Sequence, residues 1–245
     1  MKILVCISNV PDTTTKITFS ENNTQFNTAG VQFILNPYDE IALARAIELT
    51  DGGNGSVTVI NVGEISTEPT IRKALAIGAT DAVRINAKAH DAWFVAYQIA
   101  QYIKANPFDL ILTGRESIDY NGAKVAGMIA ELLDLPSVSI IKKLEIEGTD
   151  VTVEREIEGG KEVLTMPLPI VAGTAEGVAE PKIPNMRGIM SARTKPLLVI
   201  EPVEVKNSSE VLSYETPAPR GQVKLVAADD VAKLVELLHE EARVI

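Results

Sequence analysis

Short, fully apolar runs alternating with amphipathic stretches constrain this chain more than any other feature. Ile3 to Ile7 is aliphatic and stops at Ser8-Asn9-Val10-Pro11-Asp12, a turn signal. Val57 to Val62, Asp81 to Ile85, Asp109 to Thr113 and Ser137 to Ile141 repeat the theme. Brief runs of this kind, bounded by turn formers, mark strands buried on both faces. Between them lie helical patterns at Asp39 to Leu49, Thr67 to Ile77, Asp91 to Ala105 and Gly122 to Leu133. Asn36-Pro37 marks the start of the first. Ser66 or Thr67 caps the second, with Pro69 in its first turn and Gly78 past its end. The alternation predicts an α/β fold: a doubly wound, mostly parallel, Rossmann-like sheet with helices on both faces. In such sheets ligands bind beyond the carboxyl ends of the strands, near a switch in strand order. The segments after the first, second and fourth strands are therefore the places to search.

Beyond residue 142 the pattern changes. Lys142 to Glu147 and Asp150 to Ile157 alternate around Gly148, and Lys161 to Thr165 returns after Gly159-Gly160. A β-hairpin or meander over about residues 142–166 is expected. Pro167, Pro169, Pro181 and Pro184 then punctuate a stretch read as irregular. Within residues 181–193, Ile183, Met186, Ile189 and Met190 stand among turn formers. They read as core or as a docking surface. Leu197 to Val205 is extended, Asn207 to Val223 is a polar tail, and Ala227 to Arg243 is an amphipathic helix. The expected organisation is an α/β domain over residues 1–200 and an arm over 201–245 that packs elsewhere or on a partner.

Charge and composition exclude whole classes. Lysine plus arginine is 23 against 33 acids, a net charge of −10. A nucleic-acid binder needs a basic surface to displace counterions, so none is expected. One cysteine, Cys6, allows no intrachain disulfide and no cysteine-rich zinc site. Cys6 reads as an inert core residue, and His90 and His239 as structural or solvated. No run suits membrane insertion. The first residues are too short for a signal h-region, so a cytoplasmic location is expected. Neither a GxGxxG fingerprint nor a Walker A loop is present. Gly114 to Lys124 follows a strand and opens a helix, so its backbone amides can hold a phosphate. Asn36-Pro-Tyr-Asp-Glu40 reads either as a plain helix start or as a place where the Asn36 amide meets a base or ribose edge.

Five ordered blocks resemble the electron transfer flavoprotein beta subunit family. They are Asn36-Pro-Tyr-Asp-Glu-Ile-Ala-Leu43, Ile71 to Ala79, Asp109 to Asp119, Val153 to Gly160, and Glu180-Pro-Lys through Arg193. The resemblance implies a heterodimer with an alpha subunit that carries most of an FAD site. It implies a beta pocket holding AMP, or a second FAD in electron-bifurcating relatives that oxidise NADH. By position, Ser8, Asn36 and Val62 line the adenosine side, and Asn121, Gly122, Ala123, Lys124 and Val125 form the phosphate loop. Thr13 and Lys16 match the turn that approaches flavin. Ile183 to Met190 matches the loop that docks on a dehydrogenase, with Met186 at the apolar anchor. Flavin dehydrogenases are the implied donors, and a quinone reductase or ferredoxin the implied acceptor.

The phosphate loop departs from the family's D-x-D-T-x-Q pattern. Here it reads Asp119-Tyr-Asn-Gly-Ala-Lys124, with an acid lost and a cation gained. Both changes favour anions and leave AMP and FAD open. The Val10-Pro-Asp-Thr13 turn resembles the bifurcating branch. An electron carrier subunit, rather than a stand-alone enzyme, is the expected role. The alternative is an adenine-nucleotide sensor of the universal-stress type. The hairpin, the docking-like loop and the arm speak against it.

Overall fold

The computed structural model describes residues 1–53, 55–219 and 221–245. Arg220, inside the expected polar tail, and Asn54 lie outside the described residues. The chain opens with β1 (Lys2–Cys6). The short strands β2 (Asn9–Pro11), β3 (Phe19–Ser20), β4 (Gln25–Phe26) and β5 (Phe33–Leu35) then form two antiparallel pairs, β2 with β5 and β3 with β4. Next come α1 (Pro37–Leu49), β6 (Ser56–Val62), α2 (Glu68–Ile77), β7 (Asp81–Ile85), α3 (Ala92–Ala105), β8 (Leu110–Gly114) and α4 (Val125–Leu133). The chain continues through β9 (Ser137–Glu147), β10 (Asp150–Ile157), β11 (Gly160–Pro167), β12 (Ile170–Thr174), α5 (Met186–Ala192), β13 (Leu197–Ile200) and α6 (Val231–Glu236).

The main sheet has strand order β11-β10-β9-β12-β8-β1-β6-β7-β13. Its strands from β9 to β13 in that order are parallel, and β10 and β11 extend it antiparallel. The chain winds from β1 outward through β6 and β7, then returns to the other side of β1 with β8. The switch in strand order therefore lies between β1 and β8.

Alternation along the strands divides the core. Ile3 and Val5 of β1, with Leu110 and Leu112 of β8, pack with Ile41, Leu43, Ile71 and Leu75 of α1 and α2. Leu4, Cys6 and Ile111 point the other way, to Phe94, Ile99 and Ile103 of α3 and Ile129 of α4. Period-two alternation thus serves two apolar layers at once, which is why these strands show no polar face in the sequence.

Three elements differ from the sequence reading. The expected fifth strand and the first hairpin strand are one continuous strand, β9. It pairs in parallel with β12 near its start and antiparallel with β10 beyond it, with the register shifting along both partners. Ile140 sits at this change with φ +59°, a left-handed conformation rare for a β-branched residue. The residues taken as irregular contain β12, buried along its whole length between β8 and β9. Pro167 and Pro169 precede β12 instead of interrupting it, so its ladder loses no donor. The docking-like loop holds a short helix, α5, because Asn185 caps it by accepting from Gly188 N–H at 2.8 Å. Two boundaries also move. α4 begins at Val125 rather than Gly122, leaving Gly122, Ala123 and Lys124 outside the helix. The final helix begins at Val231, capped by Asp230, and runs into a wider π-type turn at Leu237–Ala242.

Leu112 lies at the centre of the sheet and is fully buried. Leu112→Ala is expected to cost about 2–5 kcal/mol, through lost transfer energy and a residual cavity. The urea unfolding midpoint measures it, and an unchanged midpoint would contradict this core assignment.

Candidate functional site

The helix-start motif after β5 lies at the switch point, against the ends of β1 and β8. Pro37 is the first residue of α1, where a missing N–H costs nothing. That start places Asp39 inside the protein, 3% exposed. Ser8 N–H, past the end of β1, donates to Asp39 Oδ2 at 2.7 Å. Gly114 N–H, at the end of β8, donates to Asp39 Oδ1 at 2.9 Å. One carboxylate thus joins the two strand ends that flank the switch point. Gly114 must be glycine, because a Cβ there would overlap Asp39 Oδ1 and Tyr38. Burial raises Asp39 from the ordinary carboxylate range to about 7, against the hydrogen bonds from Asn36, Ser8 and Gly114 that favour the anion. The buried Cys6 thiol is raised well above its usual value, first by burial and then by Asp39.

Asn36 lies beside it with no exposed surface. Its Nδ2 donates to Glu116 O at 2.9 Å, and its Oδ1 accepts from Ile118 N–H at 3.3 Å. The side chain is engaged inside the protein, joining α1 to the approach of the phosphate loop. This corrects the expectation that the Asn36 amide itself meets a base or ribose edge.

The loop at Asn121 to Lys124 is exposed. Asn121 and Ala123 have φ +48° and +49°. A left-handed alanine is a strained position, of the kind that persists where function needs the backbone shape. Space around Gly122 is open. Lys124 is the N-cap residue of α4 and makes no side-chain cap to the helix. The first amides of α4 thus have no side-chain partner and face the positive end of the helix dipole, with a lysine beside them. These features fit an anionic phosphate. Val125, the first residue of α4, is half-buried and packs into the core of that face.

On the other side of β1, Val62 is buried at the end of β6. Asn61 beside it donates from Nδ2 to Ile7 O at 2.8 Å, bracing the carboxyl ends of β1 and β6. Thr13 and Lys16 are exposed on the turn that follows β2. Asp12 shapes that turn, accepting from the Thr14 N–H at 2.9 Å and the Thr14 hydroxyl at 2.5 Å. These bonds hold the Asp12 carboxyl below its usual range. An open cleft of about 390 Å³ lies between this turn and residues 29–32.

The four docking candidates come together on and before α5. Ile183 is 93% exposed and Met186 74%, with Ile189 and Met190 also exposed. The helix beneath them is held firmly. Arg72 Nη1 donates to Ala192 O and Lys195 O, both at 2.8 Å. Lys195 Nζ donates to Leu75 O at 2.9 Å and Ala79 O at 2.5 Å, at the carboxyl end of α2. Gly188 lies so close to α2 that a Cβ would overlap Ala76 O. Sequence reasoning found the exposed apolar residues but missed Arg72, Gly188 and Lys195. It also missed Asp39, which reads from the sequence as an ordinary first-turn acid. No group of acids, histidines and cysteine that could hold a metal occurs among the described residues. None of their helices is long and apolar enough to cross a membrane.

Comparison with known proteins identifies the family. A family model described as the electron transfer flavoprotein domain matches residues 23–205. An electron transfer flavoprotein subunit beta from Bacillus subtilis is 35% identical over the whole of both chains. The subunit of the same name from Syntrophomonas wolfei is 32% identical, covering 100% of this chain and 98% of its own. The human one is also 32% identical, covering 97% and 98%.

The buried carboxylate predicts a pH dependence. Asp39 in the folded protein takes up a proton at a higher pH than in the unfolded chain, about 7 against 3.8. Between those values the native state binds more protons, so the Asp39 contribution to stability falls as pH rises through that window. It is level below and above it. The slope is at most about 1.4 kcal/mol per pH unit. Urea midpoints of the wild type and Asp39→Asn, compared from pH 4 to 8, isolate this contribution. Parallel curves would show that Asp39 is not the titrating group.

Proposed function

Because the chain belongs to the electron transfer flavoprotein family, we propose that it is the beta subunit of a heterodimeric electron carrier. In this reading an alpha subunit holds most of one FAD, and the exposed turn with Thr13 and Lys16 completes the flavin's surroundings. The crevice at the switch point takes an adenine nucleotide. Ser8, the backbone at Asn36 and Val62 line its adenosine side, and the loop Asn121 to Val125 receives its phosphate. The observation that carries the reading is this loop: left-handed backbone at Asn121 and Ala123, leading into a helix start that no side chain caps.

The flavin supplies the one- and two-electron chemistry. This chain's residues bind and orient. Asp39 and Asn36 hold the strand ends and the loop in one geometry, so little ordering remains to be done on binding. The amides of the loop and Lys124 offset phosphate charge. The nucleotide is AMP or a second FAD. The open space at Gly122 and the added cation at Lys124 favour the second FAD, because a diphosphate needs both room and charge. With it, the carrier would be of the bifurcating, NADH-oxidising kind. Ile183, Met186, Ile189 and Met190 form the face that docks on a flavin dehydrogenase. A quinone reductase or ferredoxin accepts the electrons.

The first test is a nucleotide count on the co-expressed heterodimer. One FAD with one AMP fits a simple shuttle, and two FAD without AMP fit the bifurcating kind. An intact dimer without flavin would discard the carrier reading. Lys124→Glu places an anion beside the phosphates and is expected to lower occupancy of the beta pocket. Full occupancy would discard the phosphate-loop assignment. Met186→Asp and Ile183→Asp are each expected to leave the unfolding midpoint within about 0.5 kcal/mol, since both sites are exposed. Each should weaken dehydrogenase binding about tenfold or more, as charge at an apolar anchor does. Titration calorimetry with the dehydrogenase reads this, and unchanged affinity would remove the residue from the docking face.

A further inference from the structure

The segment after β13 has no secondary structure of its own through residue 214, yet it is fastened to the body at successive points. Gln98 of α3 makes a reciprocal pair with Val203, its Nε2 donating to Val203 O at 2.6 Å and its Oε1 accepting from Val203 N–H at 2.8 Å. Asp91, the N-cap of α3, accepts from the backbone N–H groups of Ser208 and Ser209 at 2.7 and 2.8 Å, and from both hydroxyls. Against the effect of burial, the Phe94 N–H that Asp91 caps and these serine bonds hold the Asp91 carboxyl down at about 2. Tyr214 then meets the pair β3–β4. Its ring stacks on Phe19 with centroids 4.8 Å apart and planes 9° from parallel. Its N–H donates to Asn23 O at 2.7 Å. Its hydroxyl lies 3.1 Å from that of Tyr120, in the loop after β8.

These fastenings share one end of the molecule. Asp91 belongs to the connection leaving the carboxyl end of β7, the pair β3–β4 to the one leaving β1, and Tyr120 to the one leaving β8. From β7 to β8 the sheet runs through β6 and β1. Three strand spacings are roughly 14–15 Å. The chain from Ser209 to Tyr214 reaches at most about 17–18 Å. A chain of that reach can join the β7 connection to those of β1 and β8 along this end of the molecule.

We propose that residues 201–214 form a strap across the mouth of the nucleotide crevice, with Tyr214 latched to Tyr120 so that the strap orders the phosphate loop and retains the bound nucleotide. The proposal rests on the reading of this crevice as a nucleotide site. It assigns Tyr214, Tyr120, Phe19 and Asp91 to retention and to no chemical step. Tyr120 is 66% exposed, and this suits a latch that opens without disturbing the core.

The test uses the co-expressed heterodimer as wild type, Tyr214→Ala and Tyr214→Phe. Hydrogen exchange at the amides of residues 119–124 reports the latch independently of any ligand. Counting AMP, and FAD above one per dimer, after successive rounds of gel filtration reports retention. The expected result is faster exchange in Tyr214→Ala and nucleotide loss accelerated about tenfold, from the loss of one stacked pair and one hydrogen bond. Tyr214→Phe should fall between it and the wild type. Unchanged exchange would overturn the latch. Faster exchange with unchanged loss would overturn retention. A wild-type dimer that holds no nucleotide, but whose exchange still responds to Tyr214→Ala, would overturn retention by removing the nucleotide reading itself, and would leave the latch contact standing.

Discussion

The hydrogen bonds that Ser8 and Gly114 donate to the Asp39 carboxylate are the constraint on which the functional end of this molecule depends. A parallel sheet needs its strands side by side, but nothing in the ladder dictates how the loops beyond the strand ends are arranged. Here a buried acid at the start of α1 joins two of those ends across the switch in strand order. Its charge is set against burial, and the opposing hydrogen bonds come from backbone groups that would otherwise be unsatisfied. Asn36 extends the same logic by one helix turn, reaching the approach of the phosphate loop. The motif Asn36-Pro-Tyr-Asp-Glu40 is thus first a device of internal architecture.

The two faces offered for function are held in different ways. The switch-point end is framed by buried polar groups, with exposed features beyond them: the left-handed loop, the aromatic contact at Tyr214 and the polar arm. The exposed apolar residues Met186, Ile189 and Met190 sit on a short helix too brief to be stable alone. Its position comes from Arg72, Lys195 and the close approach of Gly188 to α2. A rigid mount lets a few exposed apolar side chains serve as anchors, because little entropy is then lost on association. The arm links these regions to the sheet. Its first residues are bound to α3, so the boundary expected at residue 200 does not separate an independent segment.

Much of the fold was legible because apolar burial on two faces imposes an unbroken aliphatic pattern. The runs at Ile3, Val57, Asp81 and Asp109 each became a strand of the parallel sheet. Legibility failed where a local signal was ambiguous. Ile170 to Thr174 is as apolar as the others, but nearby prolines suggested irregular chain, and only the space between β8 and β9 makes it a strand. Ile140 adopts a conformation that its own preferences oppose, because pairing on both sides of β9 demands it. The candidate site could be named residue by residue, through strand ends and the resemblance of five blocks. It was not legible in its contacts. A first-turn acid looks the same whether it offsets a helix dipole or is buried 75 residues from its hydrogen-bond donor, as Asp39 is from Gly114.

The sequence by itself determined the parallel α/β class and the family. These follow from local periodicity, turn chemistry and motif order, all of which are short-range properties of the chain. Tertiary structure alone decided that Asn36 turns inward, that Asp39 joins β1 to β8, that α5 is mounted on α2, and that Tyr214 of the arm meets Phe19 and Tyr120. Each of these is a contact between residues far apart in the chain. Its energy depends on burial and on donors that exist only once the sheet has formed, so no local pattern could announce it.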